Sequence, residues 1–128
     1  MEQMSKTQLQ GRRILIIEDS PVVAPFTVEV LEELGCEVAG IAPNLASARE
    51  YIEKADFDAA LVDIHIRGER VFNLCDILEA RGIPFVLTSG YAASETPDKW
   101  QGVPRLQKPY TFEQVQRVLE DLFERQPD

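Results

Sequence analysis

Five short apolar runs, each broken off by polar residues and each followed by a segment open to helix, constrain this chain's fold more than any other feature. Ile14 to Ile17 stops at Glu18 and Asp19, Cys36 to Ala42 at Pro43 and Asn44, and Ala59 to Val62 at Asp63. Phe85 to Leu87 stops at Thr88, Ser89 and Gly90, and Val103 to Gln107 stops at Lys108 and Pro109. The first, third and fourth runs are apolar at every position rather than every second one, as strands covered on both faces require. The fifth carries Pro104, which a strand tolerates at its start or at a sheet edge.

The segments between them read as helices. Val23, Phe26, Val30 and Leu34 share one face, with Glu29, Glu32 and Glu33 opposite as a solvated face and Gly35 as the stop. Ser20 is placed to cap this helix, and Pro25 predicts an irregular or late first turn. Leu45, Ala48, Ile52 and Ala55 mark a second helix; Val71, Leu74, Cys75 and Leu78, after a short loop at Gly68 and before Gly82, mark a third. Between Ala92 and Gln101 only Trp100 is a large apolar residue, which predicts a short or mobile element. Thr111 with Gln114 forms a capping box ahead of Phe112, Val115, Val118, Leu119 and Leu122. Strands alternating with helices imply right-handed crossovers. The expected fold class is α/β: a doubly wound, five-stranded parallel sheet with helices on both faces.

A length of 128 residues suits one domain with a real core, so any output is expected from this domain's own surface. Residues 1–11 are polar and aperiodic and read as a flexible leader, 12–125 as the domain, and 126–128 as a tail. With 13 basic against 22 acidic residues the net charge is −9, which repels a phosphate backbone and argues against nucleic acid as a partner. No apolar run approaches the roughly 20 residues that span a bilayer, and MEQMSKTQLQGRR lacks the apolar segment of a signal peptide. The expected location is therefore cytoplasmic, away from membranes. Cys36 and Cys75 lie in no metal-like spacing and read as reduced core thiols.

In open α/β sheets the functional crevice lies at the carboxyl ends of the strands. There the sequence collects Glu18, Asp19, Asp63, Thr88, Ser89 and Lys108. Three carboxylates in a partly desolvated crevice need either a proton or a cation between them, and hard oxygen donors favour Mg²⁺. With the charge so balanced, a carboxylate at the tip of the third strand can attack phosphorus and hold an acyl phosphate. Lys108 and a hydroxyl are placed to stabilise the transferring oxygens. Taken singly each residue is a weak signal, because strand-terminal Asp, Ser and Thr often cap the next helix. The set and its order carry the inference.

These segments, ILIIEDS, ALVDI, PFVLTSGY and LQKPY, resemble the receiver domain of two-component response regulators over Arg12 to about Phe123. The resemblance implies a flavodoxin-like sheet of strand order 2-1-3-4-5. It also implies Asp63 as phosphoacceptor, Mg²⁺ held by Glu18, Asp19, Asp63 and the His65 backbone carbonyl, and Lys108 on the phosphoryl group. The family's switch hydroxyl lies five residues after the proline that opens strand four, which selects Ser89 from Pro84, with Thr88 the alternative. Lys108 to Pro109 is expected to be cis. Receivers commonly carry Tyr or Phe three residues before the lysine, whereas this chain has Arg105. PFVLTSGY is similar to the PFxFATGY motif of stand-alone receivers, in which that aromatic switch is also missing and Tyr91 would take over its role. His65, the single histidine, reads as a solvent-facing loop residue and excludes a histidine-rich metal site or a histidine phosphorelay module within this chain.

The function so implied is that of a single-domain response regulator rather than an enzyme. It would take a phosphoryl group from a histidine kinase or phosphotransfer protein and signal by a change of shape. The face of helix 4, strand 5 and helix 5 is the one through which receivers bind a downstream protein or form a homodimer. Two alternatives stand beside it. One is a phosphorylation-independent receiver-like adaptor, kept open by Arg105; the other is a Mg²⁺ phosphohydrolase, which usually needs a second acid where this chain has His65.

Overall fold

The computed structural model describes residues 8–54, 56–66, 69–90 and 96–125. In chain order the elements are β1 (Arg13–Ile17), α1 (Val23–Glu33), β2 (Glu37–Ala42), α2 (Leu45–Lys54), β3 (Ala59–Asp63), β4 (His65–Ile66) and β5 (Glu69–Arg70). They continue with α3 (Phe72–Ala80), β6 (Phe85–Ser89), a 3₁₀ turn (Asp98–Trp100), β7 (Arg105–Gln107) and α4 (Phe112–Arg125). The main sheet is five-stranded, in the order β2-β1-β3-β6-β7, and all its pairings are parallel. Counting only these strands the order is 2-1-3-4-5, as the resemblance implies.

Alternation along the inner strands explains their unbroken apolar runs. Ile14, Ile16, Leu61 and Val86 face a layer completed by Val30, Leu31, Leu34, Val115, Leu119 and Leu122, from α1 and α4. Leu15, Ile17, Val62 and Leu87 face the opposite layer with Ala48, Ile52, Leu74 and Leu78, from α2 and α3. Each valine, leucine and isoleucine among them contributes about 1.5–3 kcal/mol by leaving water. Cys36 and Cys75 are free and buried in these two layers, and burial pushes their thiols up to about 11 and about 12.

Helix α1 starts at Val23, so Pro25 falls in the first turn, where its missing N–H would have had no intrahelical acceptor. The Thr111 and Gln114 capping box forms in both directions, at 3.1 and 2.9 Å. At the β2 edge the register with β1 slips between Ile14 and Leu15, leaving Ala39 as the extra residue of a bulge. The Tyr51 ring then lies over Gly40, where a Cβ would stand 2.3 Å from it.

Three expectations change. Residues 8–11, expected as part of the leader, are packed on the domain: Leu9 is fully buried, Arg12 Nε donates to Gln8 O at 2.9 Å, and Gly11 N donates to Gly35 O at 2.8 Å. Leu9 closes the end of the α1–α4 layer, which is why a lone apolar residue in a polar segment is ordered. The remainder of the expected leader, and the tail, lie outside the described residues. His65 is half-buried in a small antiparallel hairpin, His65↔Arg70 and Ile66↔Glu69, rather than in a solvent-facing loop, because its neighbour Ile66 is drawn into the core. The fifth strand is shorter than expected at three residues, Pro104 standing just before it.

Candidate functional site

Parallel strands bring their carboxyl ends to one edge, and the apolar runs end there in charge. Glu18 follows β1, Asp63 ends β3, and Lys108 follows β7. Lys108 Nζ lies 2.9 Å from Glu18 Oε1 and donates to Asp63 Oδ2 at 2.9 Å, so one ammonium bridges two carboxylates. One oxygen from each of Glu18, Asp19 and Asp63 falls within 4.8 Å of the others. Glu18 and Asp63 are buried and Asp19 is half-buried.

The local backbone explains the placement. Glu18 N–H donates to Ala42 O at 3.0 Å, continuing the β1–β2 ladder one residue past the strand. Ser20 Oγ accepts from Val22 and Val23 N–H at 3.2 and 3.1 Å, so these two N–H groups at the start of α1 are met by Ser20 rather than by Glu18 or Asp19. Glu18 Oε2 accepts Ser20 N–H at 3.1 Å, and Asp63 Oδ1 accepts His65 N–H at 3.2 Å. Burial raises the Glu18 carboxyl above its ordinary 4.5; the Lys108 hydrogen bond opposes this and the Asp63 charge adds to it. Burial alone would lower the Lys108 ammonium, but Asp63 and Glu18 outweigh it and leave the pKa raised. Three carboxylates and one ammonium leave a surplus of negative charge on hard oxygen donors, a donor set that fits Mg²⁺.

Thr88 pairs with Asp63 in register but is 2% exposed, whereas Ser89 is half-buried at the strand tip. Lys108 N–H donates to Ser89 O at 2.8 Å, tying the ends of β6 and β7 together. The Lys108–Pro109 peptide is cis. Tyr91 lies outside the described residues. Arg105 points away from this cluster and bonds to the chain after β6, donating to Thr96 Oγ1 at 3.0 Å.

Sequence reasoning missed the support under the lysine. Thr27 Oγ1 donates to Val23 O at 2.9 Å, so at 2.7 Å it accepts the proton of Tyr110 OH. Both side chains are buried, and burial raises the Tyr110 pKa. The available signal was a threonine on the buried face of α1 combined with a tyrosine two residues after Lys108. Beside them Val22 and Phe26 are exposed apolar residues at the rim, and Phe26 lies 6.2 Å from the Tyr110 ring.

The family model described as the response regulator receiver domain matches residues 14–120. The chain belongs to that family, which places it in two-component signalling. It is similar to the sensor protein TorS of Escherichia coli (strain K12), 37% identical over 87 residues, which make up 67% of this chain and 9% of that protein. Among solved structures it is similar to SdrG from Sphingomonas melonis Fr1, at 33% identity and TM-score 0.80, covering 89% of this chain and 97% of that one. The receiver domain of the Erythrobacter litoralis response regulator PhyR shares the fold at TM-score 0.83 and 24% identity, covering 94% of this chain and 95% of that one. Among the described residues no helix is long and apolar enough to cross a membrane.

Proposed function

We propose that this chain is a response regulator that accepts a phosphoryl group on Asp63 from a histidine kinase or phosphotransfer protein and signals to a protein partner by changing shape in the cytoplasm. The observation that carries this reading is the Lys108 ammonium, 2.9 Å from both Asp63 and Glu18, beside a third carboxylate. An Asp63 oxygen forms the new P–O bond; the P–N bond of a phosphohistidine breaks, and the departing imidazole keeps the electron pair and takes up a proton. Glu18, Asp19, Asp63 and the His65 carbonyl would hold Mg²⁺, which when bound neutralises the developing charge on the phosphoryl oxygens. Lys108 turns from Asp63 Oδ2 to the phosphoryl group, and Ser89 supplies the hydroxyl; the deep burial of Thr88 favours Ser89 for that role. Val22, 77% exposed, and Phe26, 41% exposed, offer a donor protein apolar surface beside the acceptor.

Phosphate-affinity electrophoresis after incubation with acetyl phosphate and Mg²⁺ tests the assignment. Wild type should shift and Asp63→Asn should not; an unshifted wild type, or an equal shift in the variant, overturns it. The adaptor reading draws on Arg105, which fixes part of the partner-facing side without any phosphate, and it predicts equal partner affinity for wild type and Asp63→Asn.

A further inference from the structure

The phosphoacceptor chemistry at Asp63 leaves Arg105 without a role. Its Nη1 donates to Thr96 Oγ1 at 3.0 Å, and its Nη2 donates to the carbonyls of Trp100 and Gln101 at 3.3 Å each. All three acceptors belong to one short segment, Thr96 to Gln101, wrapped around the 3₁₀ turn. Thr96 is 4% exposed, so its hydroxyl meets Arg105 out of reach of bulk water. On its other side the turn is held by Lys99 to Asp76 and Glu79, at 2.9 and 3.8 Å, between side chains that are 57%, 54% and 60% exposed. Such exposed pairs hold weakly. Trp100, 4% exposed, anchors the turn apolarly in the α2–α3 layer, edge-on to Phe85 with centroids 5.6 Å apart. The guanidinium, with its rigid fork of donors, is the polar clasp between this turn and β7.

Arg105 also rides with the acid cluster. Strand β7 has three residues, and Lys108 follows it directly, about 10 Å along the strand from Arg105. Leu87 pairs with Arg105 and Ser89 with Gln107, so the ends of β6 and β7 move as one ribbon. A phosphoryl group at Asp63 adds charge and acceptor oxygens that draw Lys108 and Ser89 toward it. The two 3.3 Å contacts of Arg105 are already long, and a shift of a few tenths of an ångström in β7 is enough to break them.

Building on the reading of Asp63 as phosphoacceptor, we propose that Arg105 is the positioning residue that couples the acid cluster to the Thr96–Gln101 turn. It clasps the turn to β7 in the unmodified protein and releases it when Asp63 is loaded. The position that carries an aromatic switch in other receivers would then work here by hydrogen bonds to backbone and hydroxyl.

Trp100 is the chain's single tryptophan, so its emission reports on this turn alone. Beryllofluoride with Mg²⁺ serves as the phosphoryl mimic, its ¹⁹F resonance reads loading, and amide exchange at Gln101 and Val103 reads the clasp. In wild type, loading should shift Trp100 emission and speed those amides about tenfold, the loss expected for one or two hydrogen bonds. Arg105→Met and Thr96→Val should exchange fast before loading and change little on loading, while Thr96→Ser, which keeps the hydroxyl, should behave as wild type. Slow exchange and a normal loading response in Arg105→Met overturn the proposal. So does a wild type that binds beryllofluoride with Trp100 and the turn amides unmoved. A wild type with no bound ¹⁹F resonance sinks the phosphoacceptor reading itself, and the coupling with it.

Discussion

Replacing Lys108 by methionine removes the ammonium while keeping much of the aliphatic stem. Glu18 and Asp63, 3% and 5% exposed, then face each other without the cation that bridges them. Breaking a buried ion pair from one side costs about 3–5 kcal/mol when both charges persist. Here a proton limits the damage. With an ordinary Glu18 pKa of 4.5, protonating it at pH 7 costs about 3 kcal/mol, at ~1.36 kcal/mol per pH unit, so the deficit at pH 7 should be about 2–3 kcal/mol. At pH 5.5 the same ceiling falls to about 1–1.5 kcal/mol. The sign follows from linkage. Burial already raises Glu18 in the native protein, and losing Lys108 raises it further. A carboxyl with a raised native pKa stabilises below its ordinary value and loses that contribution as pH climbs through the native one. The deficit of Lys108→Met must therefore widen from pH 5.5 to pH 7, measured by urea unfolding of both proteins. Millimolar Mg²⁺ should narrow it more at pH 7, where the proton it displaces from Glu18 is more readily given up. Equal deficits at the two pH values would refute the bridging geometry as the source of the energy.

Two further outcomes follow from packing. Leu9→Ala should lower stability by about 2–4 kcal/mol in denaturant titration, because a fully buried leucine closes the α1–α4 layer; a loss under about 0.5 kcal/mol would mean the segment is not docked. Gly40→Ala should cost no more than about 1 kcal/mol, because the new Cβ meets only the outer end of the half-buried Tyr51 ring, which can swing aside, and Tyr51→Ala in the same chain should remove that cost, a non-additivity that a double-mutant cycle detects.

The central sheet was legible because Ile14 to Ile17 and Ala59 to Val62 are apolar at every position, which only strands sandwiched between helices need. The acid cluster was legible for the same reason, since parallel strands carry their last residues to one edge. The β4–β5 hairpin was not, because two-residue strands have no period to detect. Leu9 was hidden because one apolar residue in a polar run has no pattern of its own; it is ordered by the layer it completes. The Arg105 clasp could be flagged only as a departure at that position, for its acceptors are two backbone carbonyls and a hydroxyl brought within reach by tertiary packing. Choosing between Ser89 and Thr88 relied on counting from Pro84, since both hydroxyls stand at the end of the same strand.

Both borders of the main sheet are blunted. On one side β2 is buckled by its bulge at Ala39, and on the other β7 runs for only three residues. Neither offers a long flat row of free N–H and C=O groups onto which a foreign strand could zip. A chain shaped this way resists ribbon-like self-association and leaves the helix flanks and the rim around Asp63 as the surfaces open to other contacts.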